Sequence, residues 1–331
     1  MLNFACTFKI QTMKNKKVLV TGGSGFVGIH TILQLLQQGY TVHTTLRSLS
    51  KKENIISALA KGGITELQDL HFFEADLTAD KGWNEATEGC DYVLHVASPF
   101  PLVEPEDEND LIIPARDGSL RVLKVAKLSG VKRVVLTSSF AAIGYGADRK
   151  GHTFTEEDWT DENASVAPYI KSKTIAEKAA WEFIRKEGGD MELSVINPVG
   201  IFGPVIGDIY PASYEGVIKA ILEGTVTESP AFTFGIVDVR DVAGIHIKAM
   251  LHPEARGQRF LATSDGAVSF YDVAQLIKTE RPQKADRIAE MKPTQPEMYT
   301  QMSNRKAVDI LGWQPRSKEE AILASVDSTV A

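Results

Sequence analysis

Short, largely apolar runs alternate with longer amphipathic segments over the first two thirds of the chain. The apolar runs are rich in Val, Leu and Thr, and they predict strands at residues 17–21, 40–46, 70–74, 92–96, 133–136 and 193–197. Segments with apolar residues at helical spacing predict helices between them, at 26–38, 50–61, 110–128 and 166–187. Ser50 and Glu53 have the spacing of a capping box at the start of the second helix.

Strands that alternate with helices in this way indicate right-handed βαβ units and a parallel sheet. The predicted fold class is therefore α/β, a doubly wound parallel sheet of the Rossmann type with a smaller C-terminal substrate-binding α/β region. The pattern is less regular after Pro198, where shorter helices are predicted at 214–222, 239–251 and 271–279. We expect a flexible tail at 1–15, a dinucleotide-binding domain at 16–197 and a substrate-binding domain at 198–331, with a return to the first domain around 236–252.

Composition excludes several classes of protein. Of the 331 residues, 43% are hydrophobic and 24% are charged, which is the balance of a folded protein with a core. The 36 Lys and Arg residues against 43 Asp and Glu residues give a net charge of −7. This sign disfavours nucleic acid and anionic membranes as partners. No apolar run approaches the roughly 20 residues that a transmembrane helix needs.

The cysteines and histidines add little metal or redox chemistry. Cys6 and Cys90 are too few for a disulfide framework or a tetrahedral zinc site, and they fit a reducing cytoplasm. The seven histidines show no metal-ligand spacing with Asp, Glu or Cys, so no metal is predicted. The N-terminal segment lacks the long apolar centre of a signal peptide, and Met13 is a second candidate for the start of translation.

A glycine-rich turn joins the first predicted strand to the first helix. Gly22, Gly25 and Gly28 form the pattern G-x-x-G-x-x-G. In a dinucleotide-binding unit these glycines allow a tight turn, let a pyrophosphate approach the backbone, and let the helix pack on the sheet. The N-terminus of the helix offers unpaired N–H groups and positive potential to the phosphates. Because glycine spacing alone is a weak signal, an ordinary strand–helix turn remains the alternative.

The end of the second strand indicates which dinucleotide is bound. An acidic residue at this position would bind the ribose 2′-hydroxyl of NAD. Here the strand ends in Arg47, and Lys51 and Lys52 follow shortly after. A guanidinium has forked donors and a full charge, which suit a 2′-phosphate. The sequence therefore predicts NADP(H), with a solvated surface arginine as the alternative.

Candidate acid–base residues lie on a predicted helix and after a predicted strand. Tyr169 and Lys173 are four residues apart and share one helical face. A nearby ammonium favours the phenolate and lowers a tyrosine pKa from its usual value of about 10. Ser138 and Ser139 follow the fifth strand, at the edge of the sheet where ligands bind in such folds. A Tyr/Lys pair alone is common on helix surfaces, but a serine hydroxyl beside it could hold a substrate carbonyl.

A series of motifs carries a resemblance to a known family. In chain order they are the glycine loop, Asp76-Leu77, His95-Val96-Ala97-Ser98-Pro99, Thr137-Ser138-Ser139, Tyr169-x-x-x-Lys173 and Asn197-Pro198-x-x-x-Phe202-Gly203-Pro204. Over residues 16–325 the chain resembles extended short-chain dehydrogenases/reductases. It is most similar to their dihydroflavonol reductase-like branch, which includes aldehyde (methylglyoxal) reductases, and the run at 173–181 is typical of that branch.

The resemblance implies a role for each matching residue. It implies that Ser139 orients the carbonyl, that Tyr169 donates the proton, and that Lys173 lowers the Tyr169 pKa and binds the nicotinamide ribose. Arg47 and Lys51 match contacts to the 2′-phosphate, and Asp76 and Leu77 match contacts to the adenine. On the nicotinamide side the resemblance implies a lining from Val96 to Ser98 and a turn with Pro198, Val199 and Ile201, and Ser213 is a phosphate-side candidate. The cofactor-binding residues implied in this way are Gly22, Gly25, Phe26, Val27, Gly28, Arg47, Lys51, Asp76, Leu77, Val96, Ala97, Ser98, Tyr169, Lys173, Pro198, Val199, Ile201 and Ser213.

Departures from the family pattern bear on the substrate. Gly144 stands where plant flavonoid reductases have an asparagine, and residues 166–170 lack the Asn-Trp-Tyr-Cys-Tyr run of cinnamoyl-CoA reductases. Both plant substrates are therefore disfavoured. The acidic segment 104–110 is a solvated loop or, alternatively, a lid. A mainly apolar pocket is expected, with walls from Phe100, Phe140, Tyr145, Ile209 and Tyr210.

The predicted function is NADPH-dependent reduction of aldehyde or ketone carbonyls to alcohols. The expected partner is a small-molecule carbonyl substrate, and the protein is expected to be a cytoplasmic monomer or homodimer. One alternative is an NAD-dependent epimerase/dehydratase or a hydroxysteroid-type dehydrogenase on the same scaffold, against which Arg47 argues. Another is a non-catalytic dinucleotide sensor, against which the intact Tyr169 and Lys173 argue.

Overall fold

The computed structural model describes residues 16–99, 105–146 and 151–328. The strands in these ranges are β1 (Lys17–Thr21), β2 (Thr41–Leu46), β3 (Leu70–Glu74), β4 (Tyr92–His95), β5 (Arg133–Thr137), β6 (Thr153–Phe154), β7 (Glu192–Pro198), β8 (Gly200–Phe202), β9 (Phe234–Asp238), β10 (Arg259–Ala262), β11 (Ala267–Val268) and β12 (Gln301–Met302). The helices are α1 (Phe26–Gln37), α2 (Lys52–Lys61), α3 (Trp83–Thr87), α4 (Asn109–Leu128), α5 (Pro168–Glu187), α6 (Ala220–Leu222), α7 (Val239–Leu251), α8 (Phe270–Glu280), α9 (Arg305–Leu311) and α10 (Lys318–Asp327).

A seven-stranded parallel sheet forms the centre of the protein. Its strand order is β10-β7-β5-β4-β1-β2-β3, and Val18 of β1 lies opposite Val42 on one side and Tyr92 on the other. The order reverses direction between β1 and β4, which is the switch point where doubly wound sheets bind ligands. The predicted α/β class with a doubly wound parallel sheet is therefore confirmed.

Helices cover both faces of this sheet. On one face Ile29 of α1 and Ile245 of α7 pack with Val20 of β1 in one hydrophobic cluster. On the other face Val122 of α4 and Phe183 of α5 pack in a second cluster. Successive residues of a strand point to opposite faces, so strands covered on both faces must be apolar throughout. This burial explains why the strands read as continuous apolar runs.

Two helices, α2 and α5, start two residues later than the sequence predicts. The predicted capping box at Ser50 is wrong, because the Ser48 hydroxyl accepts a hydrogen bond from the Ser50 N–H and caps a 3₁₀ turn that precedes α2. Helix α5 begins at Pro168, two residues later than predicted. Proline suits the first position of a helix because that position needs no N–H donor.

The chain after Pro198 builds a second, smaller layer beside the edge of the main sheet. Strands β8 and β9 are parallel, β11 is antiparallel to β9, and β12 pairs with β6. A separate cluster that includes Phe202, Ile236 and Val273 forms its core. The predicted return around 236–252 falls on β9 and α7, and β10 is the outermost strand of the main sheet. None of the helices in the described ranges has the length and apolar character needed to cross a membrane.

Candidate active site

A cleft with a volume of about 1050 Å³ runs along the carboxyl edge of the main sheet. The glycine loop forms one wall. Gly22 has a φ of +73°, and a Cβ at this position would lie 3.0 Å from the Ala97 Cα. At Gly28 a Cβ would lie 2.3 Å from the Gly22 carbonyl oxygen. Only glycine fits at these two points, and the tight turn that results lines the cleft at the start of α1, where helix N–H groups suit an anion.

The predicted adenosine-binding residues Arg47, Lys51, Asp76 and Leu77 all line one end of this cleft. The Asp76 carboxylate accepts hydrogen bonds from the Thr78 N–H at 2.8 Å and from the Thr78 hydroxyl at 2.7 Å. These bonds lower the pKa of Asp76, and the charge of Arg47 lowers it further. Two cations and a fixed carboxylate at this end suit a charged, hydrogen-bonding ligand group.

The predicted nicotinamide-side residues also line the cleft. These are Val96, Ala97, Ser98, Pro198, Val199 and Ile201. The predicted phosphate-side residue Ser213 and the loop residues Gly25, Phe26 and Val27 line it as well. The Ser213 hydroxyl donates to the Ile201 carbonyl oxygen, so its proton is already used. Gly28 is not part of the cleft lining, and its close contact with Gly22 gives it a packing role instead.

Tyr169 and Ser139 meet in the cleft although they are far apart in sequence. Both line it, and a hydrogen bond joins their side chains. Burial raises the pKa of Tyr169 to about 12, and the hydrogen bond with Ser139 opposes this shift. The Ser139 oxygen accepts a bond of 3.1 Å from the Ala141 N–H. Because this acceptor position is occupied, the Ser139 hydroxyl proton is directed towards other acceptors in the cleft.

Lys173 lies behind Tyr169 and is buried. Its Nζ donates to the Ser98 hydroxyl at 2.8 Å and lies 5.6 Å from the centroid of the Tyr169 ring. Burial lowers the pKa of Lys173 to about 8, and the negative charge of Glu177 opposes this shift. A positive charge at this distance favours the ionised form of a phenol. Burial dominates at Tyr169, however, and its pKa lies above the usual value instead of below it as expected.

The other end of the cleft has mainly apolar walls. Phe140, Tyr145, Ile209 and Tyr210, which were predicted as wall residues, all line it, whereas Phe100 lies outside the described residues. The chain's last third adds a wall that sequence reasoning missed, from Thr233, Phe234, Gly235, Thr300 and Met302. No local motif marks these residues, because they reach the cleft only through the pairing of β12 with β6 and of β9 with β8.

The histidine at the end of β4 is structural. His95 Nδ1 lies 2.8 Å from the Thr21 hydroxyl oxygen, and burial lowers the pKa of His95 to about 3. It is therefore neutral at physiological pH. Across the described part of the chain, no three His, Cys, Asp or Glu side chains cluster in a way that could hold a metal ion.

Comparison with known proteins places the chain in a family. The sequence profile of the NAD dependent epimerase/dehydratase family matches residues 18–261. The chain belongs to this family. It comprises extended short-chain dehydrogenases/reductases, so the predicted resemblance is confirmed.

Curated relatives cover nearly the whole chain. The putative NADPH-dependent methylglyoxal reductase GRP2 of Candida albicans is 32% identical over 319 residues, which is 90% of this chain and 93% of the relative. The NADPH-dependent methylglyoxal reductase GRE2 of Saccharomyces cerevisiae is 32% identical over 330 residues, 92% of this chain and 95% of the relative. A dihydroflavonol 4-reductase of Solanum lycopersicum is 33% identical over 281 residues, 82% of this chain and 70% of the relative.

Solved structures agree with this family assignment. Yeast methylglyoxal/isovaleraldehyde reductase Gre2, complexed with NADPH, matches with a TM-score of 0.82 and 30% identity, over 94% of this chain and 97% of that one. Gre2 of Candida albicans, also complexed with NADPH, matches with a TM-score of 0.81 and 28% identity, over 95% and 98%.

Proposed function

We propose that this protein reduces the carbonyl group of uncharged aldehydes or ketones to alcohols with NADPH, and that Tyr169 supplies the proton. The observation that carries the proposal is the hydrogen bond between the Tyr169 and Ser139 side chains in the cleft, with the Lys173 ammonium directly behind the phenol. These groups come from two separate segments, helix α5 and the turn after β5, and together they form an acid–base site.

The class of reaction and the cofactor agree with the relatives. The predicted oxidoreductase class and NADP(H) cofactor are confirmed at family level, because relatives that match along most of the chain are NADPH-dependent reductases and Gre2 is solved with NADPH. The cleft in this chain fits that cofactor. The glycine loop leaves room for phosphates at the start of α1, and Arg47 and Lys51 supply positive charge where a 2′-phosphate would be held.

The chain's own residues account for the proton chemistry. NADPH, when bound, supplies the hydride that reduces the carbonyl carbon. Ser139 donates a hydrogen bond to the carbonyl oxygen, which places that oxygen beside the Tyr169 hydroxyl. Tyr169 protonates the oxygen as negative charge develops on it, and Lys173 stabilises the phenolate that remains. Such general acid assistance contributes about 10²–10⁴-fold to the rate.

The walls of the cleft support an uncharged substrate. Among the described residues that line it, the charged ones are Arg47, Lys51 and Asp76, all at the adenosine end. Apolar and aromatic side chains with a few hydroxyls form the substrate end. A carboxylate there would lose its hydration without gaining a partner of opposite charge, which is costly. The oligomeric state, monomer or homodimer, and the cytoplasmic location stay predictions.

The test uses pairs of carbonyl compounds that differ only in charge. Methyl benzoylformate and benzoylformate present the same ketone as an ester and as a carboxylate. We expect oxidation of NADPH with the ester, with one alcohol formed per NADPH consumed, and far slower oxidation with the acid or with NADH. Turnover without net consumption of NADPH would instead indicate an epimerase. Reduction of the acid at the same rate as the ester would overturn the proposed substrate class.

A further inference from the structure

A buried ion pair lies one helical turn beyond Lys173. The Glu177 side chain is 0% exposed and the Arg259 side chain 8% exposed, and Arg259 Nε donates to Glu177 Oε1 at 2.6 Å. Trp181 Nε1 donates to the same oxygen at 3.1 Å. The Arg259 guanidinium stacks 3.7 Å from the centroid of the Trp159 ring. The Glu177 carboxylate is therefore held from several sides.

The second oxygen of Glu177 connects this pair to Ser139. Asn197 Nδ2 donates to Glu177 Oε2 at 2.7 Å and to the Ser139 carbonyl oxygen at 3.2 Å. The Asn197 side-chain amide has two N–H donors, and its bonds to Glu177 and to the Ser139 carbonyl oxygen fix its orientation. Arg259 also contacts the turn that follows Ser139, since Nη2 donates to the Ala142 carbonyl oxygen at 3.5 Å. The backbone that carries the Ser139 hydroxyl is thus tied to one buried carboxylate.

The Glu177 carboxylate also affects the pKa of Lys173. Tyr169, Lys173 and Glu177 are spaced four residues apart on α5 and share its face towards the cleft edge. The negative charge of Glu177 raises the pKa of Lys173 against the effect of burial. The titratable groups that face Lys173 are the Tyr169 phenol and Glu177 on its own helix and the neutral His95 at the end of β4.

We propose that Glu177 is a positioning residue that sets both the place of the Ser139 hydroxyl, through Asn197, and the charge of Lys173. This inference rests on the proposed function, because it assigns a task to residues of that same site. Glu177 does not line the cleft, so its effect reaches the site through Asn197 and Lys173. One carboxylate therefore links the hydroxyl that orients the carbonyl to the ammonium that stabilises the phenolate.

A matched pair elsewhere in the sheet separates positioning from simple stability. Glu192, at the start of β7, accepts a 2.7 Å hydrogen bond from Arg133, at the start of β5, and both side chains are largely buried. Arg133 also donates to the carbonyl oxygens of Ala249 and His252, each at 2.7 Å. This pair has the same chemistry as Arg259 and Glu177 but lies at the amino edge of the sheet, away from the cleft.

The experiment compares Glu177→Gln with Glu192→Gln in the full chain. Both variants lose one buried negative charge, and thermal unfolding is measured for each. We expect Glu177→Gln to lower kcat by about 10- to 100-fold, the cost of displacing reacting groups by a fraction of an ångström to an ångström. Its KM for NADPH changes little, and the alkaline limb of its rate profile moves to lower pH. Glu192→Gln keeps the wild-type kcat and pH profile.

A second variant separates the two arms of the proposal. Asn197→Ala removes the link to Ser139 but keeps the charge of Glu177, so kcat is expected to fall while the alkaline limb stays in place. If Glu177→Gln folds and its kcat and pH profile match those of Glu192→Gln, the proposal is wrong. If Glu177→Gln does not fold, Asn197→Ala decides, and an unchanged kcat would overturn the link to Ser139.

A measurement without turnover keeps the inference separate from the proposed function. The ¹³Cε resonance of Lys173, assigned by its loss in Lys173→Arg, reports the ionisation of the ammonium directly. Its midpoint is expected at lower pH in Glu177→Gln than in wild type and unchanged in Glu192→Gln. An unchanged midpoint would contradict the inference, whereas a wild type that reduces no carbonyl would contradict only the proposed function.

Discussion

The two edges of the main sheet use buried charge in opposite ways. At the amino edge the Arg133 guanidinium is paired with Glu192 and donates to several backbone carbonyls, so its charge is fully compensated. At the carboxyl edge Lys173 is just as buried, yet among the described residues its ammonium donates one hydrogen bond, to Ser98. An ammonium has three donors, so the charge of Lys173 is less fully compensated by the protein than that of Arg133.

This difference separates a stabilising edge from a reactive one. At the amino edge the hydrogen bonds of Arg133 hold strands β5 and β7 to the end of α7, and its guanidinium donors are occupied by protein acceptors. At the carboxyl edge burial lowers the pKa of Lys173 to about 8 and raises that of Tyr169 to about 12. Burial therefore disfavours the charged form of both groups. Buried groups whose pKa values are shifted in this way are typical of functional sites.

The largest effect is expected from removing the phenol at the carboxyl edge. Tyr169→Phe deletes the proposed proton donor and leaves the ring in place, so kcat for carbonyl reduction should fall by about 10²–10⁴-fold. NADPH binding, followed by quenching of protein fluorescence, should be retained. Tyr92→Phe removes a hydroxyl from the first residue of β4, at the amino edge, and should leave kcat unchanged. Retained turnover in Tyr169→Phe would contradict the assignment of the proton donor.

A smaller effect is expected at the adenosine end of the same edge. Arg47→Ala removes a charged donor, and such bonds contribute about 1.5–3 kcal/mol, which corresponds to roughly a 10- to 100-fold rise in KM for NADPH. The KM for NADH should change little, because NADH has no 2′-phosphate. Steady-state kinetics measure KM for NADPH and for NADH in wild type and variant. An equal rise in both KM values would contradict the proposal that Arg47 binds the 2′-phosphate.

The sequence predicted the carboxyl edge better than the pocket beyond it. Strand β3 and helix α7 have the predicted bounds. Tyr169, Ser139 and the glycine loop line the same cleft, because Ser139 and the loop follow predicted strands and Tyr169 lies in the first turn of a strongly periodic helix. Strands β8, β9 and β10 were not predicted, since they are short and, for β8 and β9, burial depends on the smaller layer. The residue-by-residue roles in the site stay predictions.

Residues that act through distant contacts could not be predicted from spacing. Thr300 and Met302 reach the cleft only because β12 pairs with β6, about 150 residues earlier, and that pairing leaves no periodic signal. Glu177 and Asn197 stood within recognised motifs, but their contact with each other and with Arg259 is tertiary. Sequence motifs identify side chains that lie on one helix or at one edge of the sheet. They do not identify side chains that meet only through tertiary contacts with a distant part of the chain.

The pH dependence sharpens the contrast between the two edges. Because burial holds the pKa of Lys173 at about 8, below its usual 10.5, its ammonium loses its proton as pH rises through about 8. The value of kcat/KM for NADPH, which reports ionisations of the free enzyme, should therefore be constant below this pH and fall above it. The same ionisation makes the free energy of unfolding rise between about pH 8 and 10.5, since the unfolded chain binds the proton more tightly there. A flat kcat/KM up to pH 10 would contradict a role for the charged form.

The smallest effect on turnover is expected at the amino edge, where the cost is one of stability alone. Arg133→Met leaves Glu192 and the carbonyl oxygens of Ala249 and His252 without their donor, and breaking a buried pair in this way costs about 3–5 kcal/mol of the free energy of unfolding. Urea denaturation should show this loss, while kcat measured below the unfolding temperature stays at the wild-type value. A fall in kcat in the folded variant would show that the amino edge also controls the geometry of the cleft, and the two edges would then not be independent.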